Sequence, residues 1–334
     1  MNKRHFFSIS AMDGPRRFLI SVLSLFLIYN VYSQETKTLA ELLGYPSDSK
    51  LLIIHADDMG LAHSVNTACI KAFGNKGVTS GSIMVPCPWS LEILKYAADH
   101  QDMDAGIHLT MTAEWNLYKW DGVSSSDQIS SLLDTDGYFY PTVEAFGKAV
   151  KPEEAAREMR AQIDKVIRSG IHVSHIDTHM GSVLATPELV NIYLSLSDEY
   201  NLPVLFPRAY TSLFPPETAK SLNSRIFLID NLFMLEPGMI KGNWIDPYRQ
   251  ALKEMKPGLN QMIVHLAEDN DEMKAISVNH DDYGSAWRQK DLDLVLSQEF
   301  KNLIKENNII LIGWREISNL MRQQKSANVD TNKN

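Results

Sequence analysis

The chain has 334 residues, with 32 Lys and Arg against 41 Asp and Glu and a formal net charge of -9. That length supports one large domain with a sizeable core, or two modest ones. The acidic balance, a pI near 5.6 and the lack of a basic block argue against a nucleic-acid or polyphosphate surface, and leave glycans and small molecules open as substrates.

Phe18 to Tyr32 is apolar except for Ser21, Ser24 and Asn30, follows Arg16 and Arg17, and precedes Ser33 and Gln34. This pattern predicts a secretory signal peptide over residues 1–33, cleaved after Ser33, with Met12 as an alternative start that would shorten a long polar lead-in. A retained membrane anchor is the other reading, disfavoured because the run is short for a span. No later run is apolar enough to cross a bilayer, so the expected location is the periplasm or the cell exterior. Cys69 and Cys87 match no structural zinc pattern and are either paired or two buried thiols.

A lead-in over residues 34–50 carries a short helix at Ala40 to Gly44, and the main domain is expected over residues 51–322. Leu51 to Ile54 reads as a strand buried on both faces, ending abruptly at His55, Ala56, Asp57 and Asp58. Adjacent carboxylates repel and are costly to desolvate, so a bound cation or a raised pKa is expected there. The plainer alternative is a helix cap from Asp58 or Ser64. Ser64 to Phe73 has helical spacing, and Ser82 to Val85 is a second strand running into Pro86, Cys87, Pro88 and Trp89. The Trp89 indole either faces a ligand or joins the core. Leu91 to Ala98 is a helix, and Met103 to Thr110 is a strand interrupted by His108. Thr112 to Val143 is too long for a mere connection and carries Glu114, Trp115, Trp120, Tyr138 and Phe139. Sugar rings stack on such side chains, and packing of the loop onto the body accounts for the same residues.

Pro152 to Ser169 is the clearest amphipathic helix. Ile171 to Gly181 alternates as a strand that places His175, Asp177 and His179 on one side. Val204 to Arg208 is a short strand ending in a charge, Phe214 to Tyr248 is irregular, and Gln261 to Leu266 is a strand with His265 near its end. Glu268 to Tyr283 reads as a solvated acidic block, Leu292 to Ile304 as one long helix, and Ile309 to Ile312 as the last strand, with Trp314 to Ile317 at its terminus. Residues 323–334 read as a disordered polar tail. Strand and helix alternate throughout, with His or carboxylate at successive strand ends. This predicts an α/β fold, a single distorted (β/α) barrel of TIM-barrel type.

Asp58, His108 and His179 together are a common ligand set for one divalent metal ion, zinc or magnesium, gathered from different strand ends. Asp57 is then free to act as general base, His265 as acid, and Arg208 to orient a carboxylate or steady an oxyanion. Asp177 is placed to hold the other nitrogen of a ligand histidine. A lone strand histidine is more often a satisfied core group or one that stands behind a ligand than a ligand itself, which is the reading for His175 and His55. No serine elbow, dinucleotide fingerprint or phosphate loop is present.

These residues resemble the YdjC-like family of carbohydrate deacetylases, which includes chito-oligosaccharide and hopanoid-linked deacetylases. The family's Asp-Asp-x-Gly-x-x-x-x-x-Asn signature is met by Asp57, Asp58, Met59, Gly60 and Asn66, and its Gly-x-His-Leu by Gly106 to Leu109. Asp177-Thr178-His179 matches its Asp-Ser-His segment, Val264-His265-Leu266 resembles its Cys-His-Pro, and Leu311 to Ile317 resembles its closing motif. The resemblance covers about Leu51 to Leu320. It implies metal-dependent removal of acetyl from an N-acetylated oligosaccharide or glycan, with Asp58, His108 and His179 on the metal, Asp57 as base and His265 as acid. Glu114, Trp115 and Trp89 remain candidates to touch substrate or stand behind a ligand. Two departures, Met180-Gly181 in place of further histidines and Leu266 in place of proline, bear on substrate identity.

Rival readings are a metal phosphodiesterase, for which Arg208 and Arg288 are the obvious cations, or a glycosidase, which needs two facing carboxyl groups and no metal. A third is a secreted glycan-binding protein with a decayed site, against which the intact Asp57-Asp58 pair speaks. A homodimer is left open.

Overall fold

The computed structural model describes residues 37–216, 219–220, 222 and 227–331; the expected signal peptide over residues 1–33 lies outside them. The strands are β1 (Lys50–Met59), β2 (Ser80–Ile83), β3 (Ala105–Leu109), β4 (Ile176–Thr178), β5 (Asn231–Met234), β6 (Gly258–His265) and β7 (Ile309–Leu311). They pair in the order β4-β3-β2-β1-β6-β5, with β7 beside β1. Every pairing is parallel. The carboxyl ends therefore share one rim, which is why side chains far apart in sequence meet there.

β1 is central because its residues are apolar on both faces. Leu51 and Ile53 pack with Leu205, Ile229, Leu259 and Trp314, whereas Leu52 and Ile54 pack with helix residues such as Val65 and Cys69. Burying each of these side chains contributes about 1.5–3 kcal/mol. β6 runs alongside β1 from Lys50↔Gly258 to Asp57↔His265, which sets those last two residues side by side. The ring of neighbours is completed by an extended segment bridged to β4 at Ile176↔Val204 and to the residues before β5 at Pro207↔Ile229. The result is the expected distorted (β/α) barrel. The segment Val204 to Arg208 makes single bridges instead of the expected strand, since Pro203 and Pro207 carry no N–H to donate.

Several elements differ from expectation. Only Ile176–Thr178 of the Ile171 to Gly181 stretch is strand. His179–Leu184 is a 3-10 run with positive φ at Met180 (52°) and Gly181 (70°). The long helix is two, Ser285–Leu296 and Gln298–Glu306, divided at Ser297, whose hydroxyl accepts the Phe300 N–H at 3.1 Å and caps the second. Trp314 begins a helix that runs to Thr331 through the polar stretch expected to be disordered. Trp314, Ile317 and Leu320 are buried at helical spacing and anchor its first turns.

The 112–143 loop packs onto the body. Trp120, Ile129, Leu132 and Phe139 are buried, and the buried Glu158 carboxylate accepts the Val123 and Ser124 N–H groups at 2.8 and 2.9 Å. Both cysteines are buried free thiols. No helix among the described residues is long and apolar enough to cross a membrane.

Gly106 in β3 lies against the His175 ring, and a Cβ there would overlap the imidazole carbon and nitrogens. The His175 ring is itself stacked on Trp314 and has no room to move. Gly106→Ala is expected to destabilise the fold by about 1–3 kcal/mol. In urea unfolding this reads as a lowered midpoint with an unchanged slope.

Candidate metal centre and cavity

In a regular strand Asp57 and Asp58 would point to opposite faces. The register of β1 against β2 shifts between Ala56 and Met59, and Asp58 has φ 67°. This bulge turns Asp58 so that both carboxylates line one cavity. The turn is held from behind. Gly60 (φ 93°) donates its N–H to Asn66 Oδ1 at 2.7 Å, and Asn66 Nδ2 donates to the Trp89 carbonyl and to Glu92. The spacing Asp-Asp-x-Gly-x-x-x-x-x-Asn is thus a bulge and its brace.

Asp58, His108 and His179 converge, each with one polar atom already engaged. Arg288 Nη2 donates to Asp58 Oδ2 at 2.7 Å, His108 Nδ1 donates to Asp177 Oδ1 at 2.8 Å, and His179 Nε2 donates to Glu114 Oε2 at 2.9 Å. The remaining atoms face one another: Asp58 Oδ1 is 3.4 Å from His108 Nε2 and 3.3 Å from His179 Nδ1. Asp58 Oδ1 is buried and has no hydrogen-bond partner. Ligand atoms around a cation with bonds of about 2.0–2.1 Å stand roughly 3.0–3.4 Å apart. The residues present therefore fit a divalent cation, whose charge would satisfy the orphaned oxygen. Two overlapping buried groups, His55 with His175 and Asp177, and Asp57 with His108 and Asp177, also bring ligand atoms together. Their atoms are largely engaged with one another, as in His55 Nδ1 with Asp57 Oδ1 at 2.7 Å and His55 Nε2 with His175 Nε2 at 2.9 Å.

Burial opposes the charge on Asp58, but the Arg288 guanidinium and the two imidazoles hold its carboxyl well below the usual carboxylate range. Burial lowers the His179 pKa, and Glu114 with Asp58 outweighs it, raising it to about 9. His108 is raised well above the ordinary value because Asp177 and Asp57 overcome the burial of its ring. Asp177, buried but facing His108, stays ionised; it also accepts from Ser82 Oγ at 2.9 Å.

The cavity above the cluster has a volume of about 560 Å3. Trp115, Met180, Tyr210, Leu232, Met234 and Tyr283 form much of its wall. Asp57 and His265 both line it. Burial leaves the His265 pKa below the ordinary histidine value.

Two expected site residues lie elsewhere. Arg208 does not line the cavity: its backbone bridges Ile229, its side chain is half exposed, and Nε donates to Asp230 at 2.5 Å. Trp89 is 40 % exposed, packs near His63 and is also outside the cavity. His175 is buried behind the site against Trp314. Trp115 does line the cavity, and the Arg288 guanidinium lies 5.6 Å from its ring centroid. The acidic block expected to be solvated instead sends His280, Asp282 and Tyr283 to the cavity wall. Arg288, offered by the sequence only as a cation for a phosphodiester, instead holds Asp58 at the centre. It sits mid-helix among polar neighbours, and its only signal was a cation without an obvious partner.

The chain matches the family described as YdjC-like protein over residues 51–306. It is 32% identical over 238 residues to a carbohydrate deacetylase of Thermus thermophilus, covering 68% of this chain and 81% of that protein. It is 26% identical over 267 residues to a carbohydrate deacetylase of Thermoanaerobacter pseudethanolicus, covering 79% and 98%. A crystal structure from Enterococcus faecalis V583, described as a candidate cellobiose-phosphate cleavage protein, shares the fold with a TM-score of 0.66 and 24% identity over 80% of this chain and 99% of that one.

Two outcomes are expected of the centre. Asp177→Asn and Glu114→Gln, by loosening His108 and His179, should each weaken zinc affinity by about 10–100-fold in competition titrations against a chelator. Because the His179 pKa of about 9 means that the ring is protonated near neutral pH, binding through Nδ1 must release a proton. Zinc affinity should therefore rise from pH 6 towards pH 9 and, with the His108 pKa also raised well above the ordinary value, keep rising until that ring too gives up its second proton. Calorimetry in buffers of different ionisation enthalpy reads the released proton directly.

Proposed function

Since the chain belongs to the YdjC-like protein family, we propose that it is a carbohydrate deacetylase that hydrolyses the acetamide of an N-acetylated sugar or oligosaccharide and releases acetate. Relatives named carbohydrate deacetylase support the reaction class. The observation that carries the chemistry is the convergence of the free atoms of Asp58, His108 and His179 beneath a cavity that Asp57 also lines. A divalent cation held by those three residues supplies Lewis acidity towards the acyl carbonyl and towards water.

The protein's own groups do the rest. Tyr210 and Tyr283 offer flat apolar faces for a pyranose ring on the cavity wall. Asp57, held through Oδ1, keeps Oδ2 for the proton of the attacking water. The amine leaves only if it is protonated. His265 is neutral near neutral pH because burial lowers its pKa, so it acts as acid after gaining a proton. Asp57, its neighbour across the β1–β6 pairing, is the group that has just taken one up. With residues 1–33 read as a secretory signal, the enzyme works on glycans in the periplasm or outside the cell.

Acetate release from a panel of N-acetylglucosamine oligosaccharides tests this reading. Activity should disappear on chelation, return with zinc or magnesium, and fall by about 10²–10⁴-fold in Asp57→Asn at unchanged melting temperature. Tight metal binding with no acetate from any sugar would overturn the reaction class while leaving the centre standing.

A further inference from the structure

His55 is fully buried on the inward face of β1, two residues beyond Ile53 and two before Asp57. An apolar side chain would pack there at less desolvation cost. Both of its ring nitrogens are engaged: Nδ1 with Asp57 Oδ1 at 2.7 Å, and Nε2 with His175 Nε2 at 2.9 Å. His175 continues the chain inward, its Nδ1 meeting Ser174 Oγ at 2.8 Å. The His175 ring is fixed by the Trp314 indole stacked on it, with centroids 5.0 Å apart and planes 14° apart, and by the absence of a side chain at Gly106. A carboxylate only accepts, so whichever Nε2 donates in the His55–His175 contact, Nδ1 of His55 carries a proton towards Asp57.

We propose that His55, backed by His175 and Ser174, is a positioning residue for Asp57: its Nδ1–H holds Oδ1 on the interior side so that Oδ2 is presented to the cavity. This rests on the reading of Asp57 as the base. Asp57 Oδ2 lies 3.8 Å from His108 Nε2. Released from His55, the carboxylate is free to rotate, and Oδ2 then no longer keeps its direction towards the cavity. His55 is fully buried and does not line the cavity. It acts only through the direction in which the Asp57 carboxylate faces.

The test compares His55→Asn with His55→Gln. Both place a primary amide in the same buried site, but the Asn Nδ2 stands where the imidazole Nδ1 stood, whereas the Gln Nε2 stands where Nε2 stood. With zinc-loaded full chain and N-acetylglucosamine oligosaccharides, kcat should fall by about 10–100-fold in His55→Gln, with KM and zinc stoichiometry unchanged. His55→Asn should keep most of the wild-type kcat. In a chain labelled with 15N-histidine, His55 Nδ1 of the wild type should read as protonated. Equal kcat in the two variants, whether both high or both low, or an unprotonated Nδ1, overturns the positioning role. The parent reading fails differently, with no acetate from the wild type or an undiminished rate in Asp57→Asn, and His55 then loses its proposed task.

Discussion

Strand geometry sends neighbouring side chains to opposite faces, so two consecutive carboxylates reach one cavity only if the strand is broken between them. In β1 the break is the register shift between Ala56 and Met59, with Asp58 at positive φ. A left-handed backbone is uncommon for a residue with a side chain, and it persists because its surroundings over-determine it. Here Asn66 holds the Gly60 amide on one side and Arg288 holds the Asp58 carboxylate on the other. The centre is built around that kink, and much of the barrel serves to keep its consequences satisfied.

Those consequences are electrostatic. Carboxylates and imidazoles packed out of water are costly unless each has a partner. Arg288 comes from the Ser285–Leu296 helix, Asp177 from β4 and Glu114 from the long aromatic loop. Each fixes one atom of a converging residue and leaves the other free. The exception, the unpartnered Asp58 Oδ1, is the point where a cation would complete the set. The loop that supplies Glu114 is in turn tied to the body by Glu158, so a surface connection is as constrained as a strand.

The same irregularity that distorts the barrel makes room for a ligand. Between β4 and β5 the chain makes single bridges, because prolines at 203 and 207 interrupt its donors. Pro207, Tyr210, Leu232 and Met234 from this side form cavity wall. A regular strand here would have closed the barrel more tightly around the rim.

The sequence by itself determined the elements with strong local signals. The buried run of β1, the helix at Pro152–Arg168, the recurrence of strand and helix, and the grouping of Asp58, His108 and His179 are written in hydrophobic period and residue type. Only the tertiary structure decided which nearby charge belongs to the centre. Arg208 stands at the end of a strand-like segment and turns to Asp230, whereas Arg288, mid-helix and far along the chain, reaches Asp58. Trp89 and Trp115 are both aromatics in polar loops, yet only Trp115 reaches the cavity. The acidic block before Arg288 read as solvated because composition reports the average environment of a segment, not the direction of one side chain. Hydrophobic period is a property of neighbours in sequence and survives without the fold. The pairing of a buried charge depends on where distant backbone brings its partner, and that exists only once the barrel has closed.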